Sequence, residues 1–214
     1  MIAKDGIPVI LVTGVIVVVI AFLAYILNSL VLEILAILLG VIFIFHFFFF
    51  RDPDRVTPDG DNLIIAPADG TVIRIDEVEE NEYFKEKVQR VSIFMSVFNV
   101  HVNRIPWAGE VEYLDYAKGR FKAAFAQDAP EVNERSVIGI KSAKGKLMFK
   151  QIAGLIARRI VYNLQPGDQV ISGQRFGLIR YGSRVDLYFP LSVKLNVRLK
   201  EKVKSGSTII GEFN

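Results

Sequence analysis

Three polar side chains in the β-rich part of the chain have the types needed to activate a weak nucleophile. Asp69 lies in the run APADG, His101 ends the run FNVH, and Ser183 follows Gly182 in the run RYGSR. In a triad of these types the carboxylate orients the imidazole, and the imidazole accepts the proton of the hydroxyl. Because the three lie far apart in the sequence, the fold has to bring them together.

Each of the three also has an ordinary structural explanation. An aspartate in a glycine-closed turn usually bonds its own backbone, and Gly-Ser pairs are common in turns. A lone histidine at the end of an apolar strand is often a satisfied core or rim residue. The sequence has no Gly-x-Ser-x-Gly run, so it does not support an ordinary serine hydrolase of the nucleophile-elbow type.

Composition narrows the classes of function. The 214 residues carry a formal net charge of +3, with both signs mixed and no long basic run, so no nucleic-acid partner is expected. The absence of cysteine excludes disulfides, thiolate nucleophiles and cysteine-ligated metals. The two histidines, His46 and His101, are too few for a histidine-rich site, so no metal is expected either.

The first 50 residues predict a membrane-spanning helical hairpin. Ile7–Leu27 carries no charge, and Leu30–Phe50 is interrupted only by Glu33 and His46. Twenty-one helical residues span ~31 Å, close to the thickness of the hydrocarbon core. A pair of interfacial or buried helices is the alternative, because the gap between the two runs is short.

Positive charges flank the predicted hairpin and set its expected orientation. Lys4, Arg51 and Arg55 lie just outside the two apolar runs. Basic residues favour the cytoplasmic side of a membrane. The sequence therefore predicts a cell-membrane protein whose remaining domain faces the cytoplasm.

Beyond a juxtamembrane linker at 51–62, residues 63–214 predict a mainly-β domain, a barrel or sandwich. Segment 156–162 fits a short helix or a strand, and 119–135 fits a long loop. Short β-branched runs punctuated by Gly and Pro are typical of such domains. The predicted strands are Leu63–Ala66, Thr71–Glu77, Val88–Ser96, Gly109–Tyr116, Ser136–Lys141, Leu147–Ile152, Gln174–Tyr181 and Val185–Pro190.

Two stretches of the β domain resemble biotinyl and lipoyl carrier domains. Residues 164–179 contain a Gly-Asp turn followed by Val, Gly-Gln and Gly, and residues 201–211 repeat the turn-and-strand pattern. The resemblance implies a barrel of interleaved hammerhead strands. It does not imply carrier function, because no counterpart of the modified carrier lysine is present.

Five ordered runs along the chain form a recognisable set. They are FFRDP at 49–53, APADG at 66–70, FNVH at 98–101, QIAGLIARR at 151–159 and RYGSR at 180–184. With these runs, nearly the whole chain resembles the short, membrane-attached (type A) form of phosphatidylserine decarboxylase, a pyruvoyl-dependent enzyme, and five ordered matches make a chance resemblance improbable.

This resemblance implies a self-processing proenzyme. The Ser183 hydroxyl, activated by His101 and Asp69, attacks the Gly182 carbonyl, and the chain separates into a β chain, 1–182, and an α chain, 183–214. Ser183 becomes a covalent pyruvoyl cofactor. A serine-headgroup phospholipid, or an archaeal serine ether lipid, then forms a Schiff base with the pyruvoyl ketone and loses carbon dioxide to give the ethanolamine lipid.

A second Gly-Ser bond competes as the cleavage site. Longer members of the family are processed at Gly-Ser-Thr, and this chain has that triplet at Gly206-Ser207-Thr208. Cleavage there would leave only eight residues after the bond, too few to hold a cofactor in a barrel. We therefore interpret the triplet as the closing turn of the carrier-like pattern.

Arginines are the expected contacts for the phosphate and carboxylate of the lipid headgroup. Arg184 and Arg180 flank the predicted cleavage site, and Arg51 and Arg55 lie near the membrane. The lipid bilayer is an expected partner, and the family resemblance makes a homodimer plausible. A membrane-anchored, carrier-like adaptor with an intact Gly182-Ser183 bond and a membrane-tethered serine hydrolase are the alternatives.

Overall fold

The computed structural model describes residues 1–119, 132–154, 159–180 and 183–213. By internal contacts the chain divides into two compact units, Met1–Pro53 and Asp54–Asn214. The division falls inside the predicted linker at 51–62, so part of that linker belongs to the β domain. The predicted domain bounds at 50 and 62 stay predictions.

The first unit is a pair of helices, α1 (Ile7–Leu27) and α2 (Leu30–Phe49), after a short 3-10 turn. Asn28 ends α1 in the left-handed conformation, with φ of 47°, and reverses the chain. Both helices are long and apolar enough to cross a membrane. The two predicted apolar helices are thus confirmed, and their passage through a bilayer stays a prediction.

One polar contact joins the two helices. The hydroxyl of Thr13 lies 3.1 Å from Nδ1 of His46, whose side chain is buried between the helices. Gly14, the residue after Thr13, leaves room for the ring of Phe43. A hydrogen bond inside an apolar contact is directional, so this pair fixes how the two helices are aligned.

The second unit is built from strands, which confirms the mainly-β class. Its strands are β1 (Leu63–Ile65), β2 (Gly70–Glu80), β3 (Glu86–Met95), β4 (Val102–Arg104), β5 (Gly109–Ala117), β6 (Arg135–Ser142), β7 (Gly145–Ala153), β8 (Ile160–Tyr162), β9 (Gln169–Val170), β10 (Arg175–Ile179), β11 (Ser183–Phe189), β12 (Lys194–Leu195), β13 (Lys202–Val203) and β14 (Ile209–Glu212).

Among the described residues the strands form three antiparallel sheets. The largest has the order β13-β2-β3-β11-β7-β6-β5-β9 and curls into a half-barrel. Two three-stranded sheets, β1-β14-β12 and β4-β10-β8, accompany it. The interleaved hammerhead arrangement of carrier domains stays a prediction.

Strand β11 is the central strand of the large sheet and is buried on both faces. It pairs with β3 on one side and β7 on the other, so that Ser183 lies opposite Met95 and Ala153. Alternate side chains point to opposite faces of a strand. Those of Val185, Leu187 and Phe189 enter the main apolar core. The other face of the strand carries Arg184, Asp186 and Tyr188, all buried.

Each of the eight predicted strands corresponds to an observed strand, with bounds that differ by a few residues. Segment 156–162 is a strand, β8, in its described part. The sequence analysis missed β4, β9, β12, β13 and β14, which are too short to show a period. The loop predicted at 119–135 falls mostly outside the described residues.

A substitution at Gly70, the first residue of β2, tests how closely this strand packs against its neighbour. A Cβ at this position would collide with the backbone carbonyl oxygen of Phe94 on the neighbouring strand. We expect Gly70→Ala to lower the free energy of unfolding by about 1–3 kcal/mol, because a backbone atom cannot rotate away. Thermal unfolding in detergent measures the change. Gly40→Ala, where no atom lies within 4 Å of the new Cβ, is the matched control; equal melting temperatures for the two variants would contradict the packing described.

Candidate active site

Asp69 lies in the turn between β1 and β2, and its carboxylate is held at both oxygens. Oδ2 accepts a hydrogen bond from the Arg55 guanidinium at 3.0 Å, and Oδ1 accepts one from the backbone N–H of Ser205 at 2.8 Å. The residue is only 8% exposed. A carboxylate withdrawn from water requires such partners, so Arg55 and the Ser205 turn together stabilise its charge.

The turn that contains Ser205 is docked against the turn that contains Asp69. Ser205 donates its hydroxyl to the Pro67 carbonyl at 3.0 Å, and Gly206 donates its backbone N–H to the Ala66 carbonyl at 2.9 Å. Gly206 has φ of 73°, which favours glycine. The Gly206-Ser207 bond therefore lies in a turn; its place in a carrier-like pattern, and cleavage elsewhere, stay predictions.

His101 immediately precedes β4 and is almost fully buried, with 2% exposure. Its Nδ1 lies 3.0 Å from the carbonyl oxygen of Asn99. The side chain of Asn99 in turn accepts hydrogen bonds from both the backbone N–H and the hydroxyl of Ser96. The loop that carries His101 is thus closed by its own polar groups, which fix the position of the imidazole.

Ser183 is the first residue of β11 and is completely buried. Its hydroxyl donates to the sulfur of Met95 at 3.2 Å. A thioether is a weak acceptor, so this bond holds the hydroxyl only loosely. Gly182, the other half of the predicted cleavage site, lies outside the described residues.

Asn103 connects the neighbourhoods of these three residues. Its Nδ2 lies 3.4 Å from the Pro67 carbonyl oxygen and 3.8 Å from the Met95 sulfur that Ser183 also contacts. Asp69 follows Pro67 by two residues, and His101 precedes Asn103 by two. The fold thereby brings all three predicted site residues to one region.

The Asp69 carboxylate and the Ser183 hydroxyl have hydrogen-bond partners outside the predicted triad. Among the described residues, the Asp69 carboxylate bonds Arg55 and Ser205, and the Ser183 hydroxyl bonds Met95; neither bonds His101. The roles of the three residues in catalysis stay predictions. Action as a triad would require the Ser183 hydroxyl to turn away from the sulfur.

Sequence reasoning missed a buried line of polar side chains that ends at Asn103. Ser136 donates its hydroxyl to Oε1 of Gln151 at 2.8 Å, and Gln151 donates from Nε2 to Oδ1 of Asn103 at 2.7 Å. All three residues have 0% exposure. The available signal was a serine and a glutamine at inward positions of two apolar strands.

Hydrogen bonds to Asn133 and Glu134 hold the end of β7 beside Ser183. Ala153, which pairs with Ser183, donates its N–H to the Glu134 carbonyl at 3.0 Å and accepts a bond from the Asn133 side chain at 2.7 Å. The Glu134 carboxylate accepts the hydroxyl of Tyr116 at 2.8 Å. Burial, and then the bond to this carboxylate, raises the pKa of Tyr116 to about 12.

The predicted headgroup contacts occupy different environments. Arg184 is fully buried, binds both oxygens of Asp186 at 2.6 Å and donates to Ser92 at 3.1 Å. Burial, and then the Asp186 charge, raises the pKa of the neighbouring Tyr188. Arg180 is half-buried, and its backbone N–H donates to the Arg159 carbonyl. Substrate binding by Arg184 and Arg180 stays a prediction.

Within residues 1–119, 132–154, 159–180 and 183–213, no group of three or more His, Cys, Asp or Glu side chains is arranged to hold a metal ion.

Comparison with known proteins gives one consistent result. A family model described as phosphatidylserine decarboxylase matches residues 42–211. That range contains Asp69, His101 and Ser183, together with the described strands β1 to β13 and all of β14 but its last residue.

Curated relatives match over most of their own length. A protein of Syntrophus aciditrophicus is 49% identical over 79% of this chain and 80% of its own. A protein of Desulfotalea psychrophila is 44% identical over 90% of this chain and 91% of its own. One of Chlorobium limicola is 42% identical over the full length of both. All three bear the name phosphatidylserine decarboxylase proenzyme.

The Asp69–Arg55 pair gives a test of the site's electrostatics. In Arg55→Ala the Asp69 carboxylate keeps only the Ser205 N–H, so we expect a loss of about 1–3 kcal/mol in the free energy of unfolding. The double variant Arg55→Ala with Asp69→Asn should recover part of that loss. Chemical denaturation measures both.

Lys87→Ala is the matched control for this test, because Lys87 pairs with Glu77 at the surface, where both side chains are more than half exposed. Its effect should stay below about 0.5 kcal/mol. If Arg55→Ala costs no more than Lys87→Ala, Arg55 does not stabilise the Asp69 charge.

Proposed function

The chain belongs to the phosphatidylserine decarboxylase family, and we propose that it converts phosphatidylserine to phosphatidylethanolamine and carbon dioxide. The observation that carries the proposal is the family match over residues 42–211, which includes every residue predicted to act. The relatives' shared description as proenzymes supports a precursor that is cut before it works.

The proposed cut separates Gly182 from Ser183 and gives a β chain, 1–182, and an α chain, 183–214. His101, oriented by Asp69, accepts the Ser183 hydroxyl proton, and the oxygen attacks the Gly182 carbonyl carbon while the C–N bond breaks. The resulting ester is eliminated, which frees the Gly182 carboxylate. Hydrolysis of the remaining imine releases ammonia and leaves a pyruvoyl group at position 183.

Two features of the chain support a serine in this role. Ser183 has 0% exposure, so bulk water is kept away from the ester that must be eliminated rather than hydrolysed. Its hydroxyl is held by the Met95 sulfur, a weak acceptor that gives it up at little cost.

The surroundings of Ser183 also fit a pyruvoyl group. The amide nitrogen of Asn103 reaches the same sulfur and has only long contacts, so it can serve as a donor to carbonyl oxygen. When present, the pyruvoyl group supplies an electron-withdrawing ketone that takes up the electron pair left by the departing carboxyl carbon. In the proposal His101 delivers the proton that replaces the lost carboxyl.

Membrane residence fits the substrate. The two apolar helices are covalently joined to the β domain and would keep it at a bilayer that contains the lipid. We propose that the β domain faces the cytoplasm, that either diacyl or ether serine lipids serve as substrates, and that the enzyme is a homodimer. The carrier-like turns at 164–179 and 201–211 are proposed to be architectural, as hammerhead strands.

Headgroup recognition is proposed to depend on arginine. Arg184 would have to open its bidentate pair with Asp186 to reach a lipid, which costs several kcal/mol at a fully buried site. Arg180 is half-buried and lies on the other side of the proposed cleavage site, so it is the better candidate for the phosphate or carboxylate.

Two serine substitutions test the proposed processing. Ser183→Ala removes the nucleophile, so the chain should remain a single species and release no carbon dioxide from phosphatidylserine vesicles. Ser207→Ala, at the other Gly-Ser bond, should be cleaved and active like the wild type. Denaturing mass measurement and a carbon dioxide assay give the two readouts. Normal cleavage of Ser183→Ala, or an uncut Ser207→Ala, would refute the proposed junction.

A further inference from the structure

A line of three polar side chains crosses the apolar interior on the same face of the sheet as Ser183. Ser136 on β6 is paired with Gln151 on β7, and Gln151 bonds Asn103 on β4, a strand of the sheet β4-β10-β8. None of the three is exposed. Buried polar groups cost free energy unless they are hydrogen-bonded, and along this line each side chain bonds the next.

The direction of each amide group is set at the Asn103 end of the line, where the Pro67 carbonyl oxygen can only accept, because the Ser136 hydroxyl at the other end can donate or accept. The Ser136 hydroxyl donates to Oε1 of Gln151, which leaves Nε2 of Gln151 facing Oδ1 of Asn103. The carbonyl oxygen of Asn103 is thereby occupied, and its nitrogen must point the other way. Turning either amide over would place two donors or two acceptors against each other.

The line ends at Nδ2 of Asn103, a hydrogen-bond donor whose described acceptors are distant. Nδ2 of Asn103 lies 3.4 Å from the Pro67 carbonyl oxygen and 3.8 Å from the Met95 sulfur, both long for hydrogen bonds. The same sulfur holds the Ser183 hydroxyl at 3.2 Å. The Ser183 hydroxyl oxygen and Nδ2 of Asn103 therefore lie no further apart than the sum of their two distances to the Met95 sulfur.

We infer that Asn103 donates a hydrogen bond to the oxygen that gains negative charge when Ser183 reacts, and that Gln151 and Ser136 are positioning residues that aim it. The inference rests on the proposed function, since it needs a reaction at Ser183. A donor fixed in advance in a dry site stabilises developing charge without reorganising.

The experiment follows the self-cleavage of newly made chains. Wild type, Asn103→Leu, Gln151→Leu and Ser136→Ala are synthesised with a pulse of labelled amino acid, and the fragments 1–182 and 183–214 are resolved over time by denaturing electrophoresis. Asn103→Leu should slow cleavage by roughly 10²-fold, the usual effect of removing one such donor. Gln151→Leu should slow it less and Ser136→Ala least, because each acts only through the next residue.

Two further variants separate positioning from folding. The double variant Asn103→Leu, Gln151→Leu removes both amides, so neither is left without the other as its hydrogen-bond partner. It should be more stable than Asn103→Leu alone, but its cleavage should remain slow. Ser92→Ala removes another fully buried serine hydroxyl, on the opposite face of the same sheet, where it bonds Arg184. It should lower the melting temperature at least as much as Ser136→Ala and cleave at the wild-type rate.

The outcomes are distinct. Cleavage of both the Asn103→Leu and the double variant within about threefold of wild type would overturn the inference while leaving the proposed function intact. The inference would also be overturned if the cleavage rates of the variants simply followed their melting temperatures, with Ser92→Ala slowed as much as Ser136→Ala. A wild-type chain that stays uncut would overturn the inference and the proposed function together.

Discussion

The burial of strand β11 on both faces is the constraint on which the rest of the β domain depends. A central strand between two antiparallel neighbours has no exposed edge, and here all seven of its side chains are also withdrawn from water. Its apolar side chains are absorbed by the core. Its two charged residues have to satisfy each other, which Arg184 and Asp186 do through two hydrogen bonds. The same burial leaves Ser183 at the dry end of the strand.

Polar groups near Ser183 are therefore few and each is held by a specific partner. Asp69 is held by Arg55 and the Ser205 turn, and His101 by a loop that bonds itself. Asn103 is held by Gln151. In a site of low dielectric such fixed groups interact more strongly than they would in water, which suits a reaction that develops charge on oxygen. The proposed chemistry requires the Ser183 hydroxyl to leave the Met95 sulfur.

Local pattern predicted much of this protein, and long-range pairing explains most of what it did not predict. The lengths of two apolar runs were enough for α1 and α2, and β-branched runs between Gly and Pro located the longer strands. The two-residue strands β12 and β13 are defined by partners distant in sequence, so no local period reveals them. The pairing of Asp69 with Arg55 was not predicted either, because no local pattern joins two residues fourteen positions apart, and Arg55 was considered only as a flanking charge and a candidate headgroup contact. The pair at Arg184 and Asp186 was within reach, because residues two apart share a face of a strand.

The most direct test of the account is the mass of the C-terminal fragment of the purified wild-type protein. Cleavage before Ser183 with formation of a pyruvoyl group predicts a fragment of residues 183–214 that is lighter, by the mass of one ammonia, than the peptide beginning with unmodified serine. Reduction with borohydride should then add two hydrogens to it. An intact chain, a fragment beginning at Ser207, or a fragment 183–214 that still begins with serine would contradict the account.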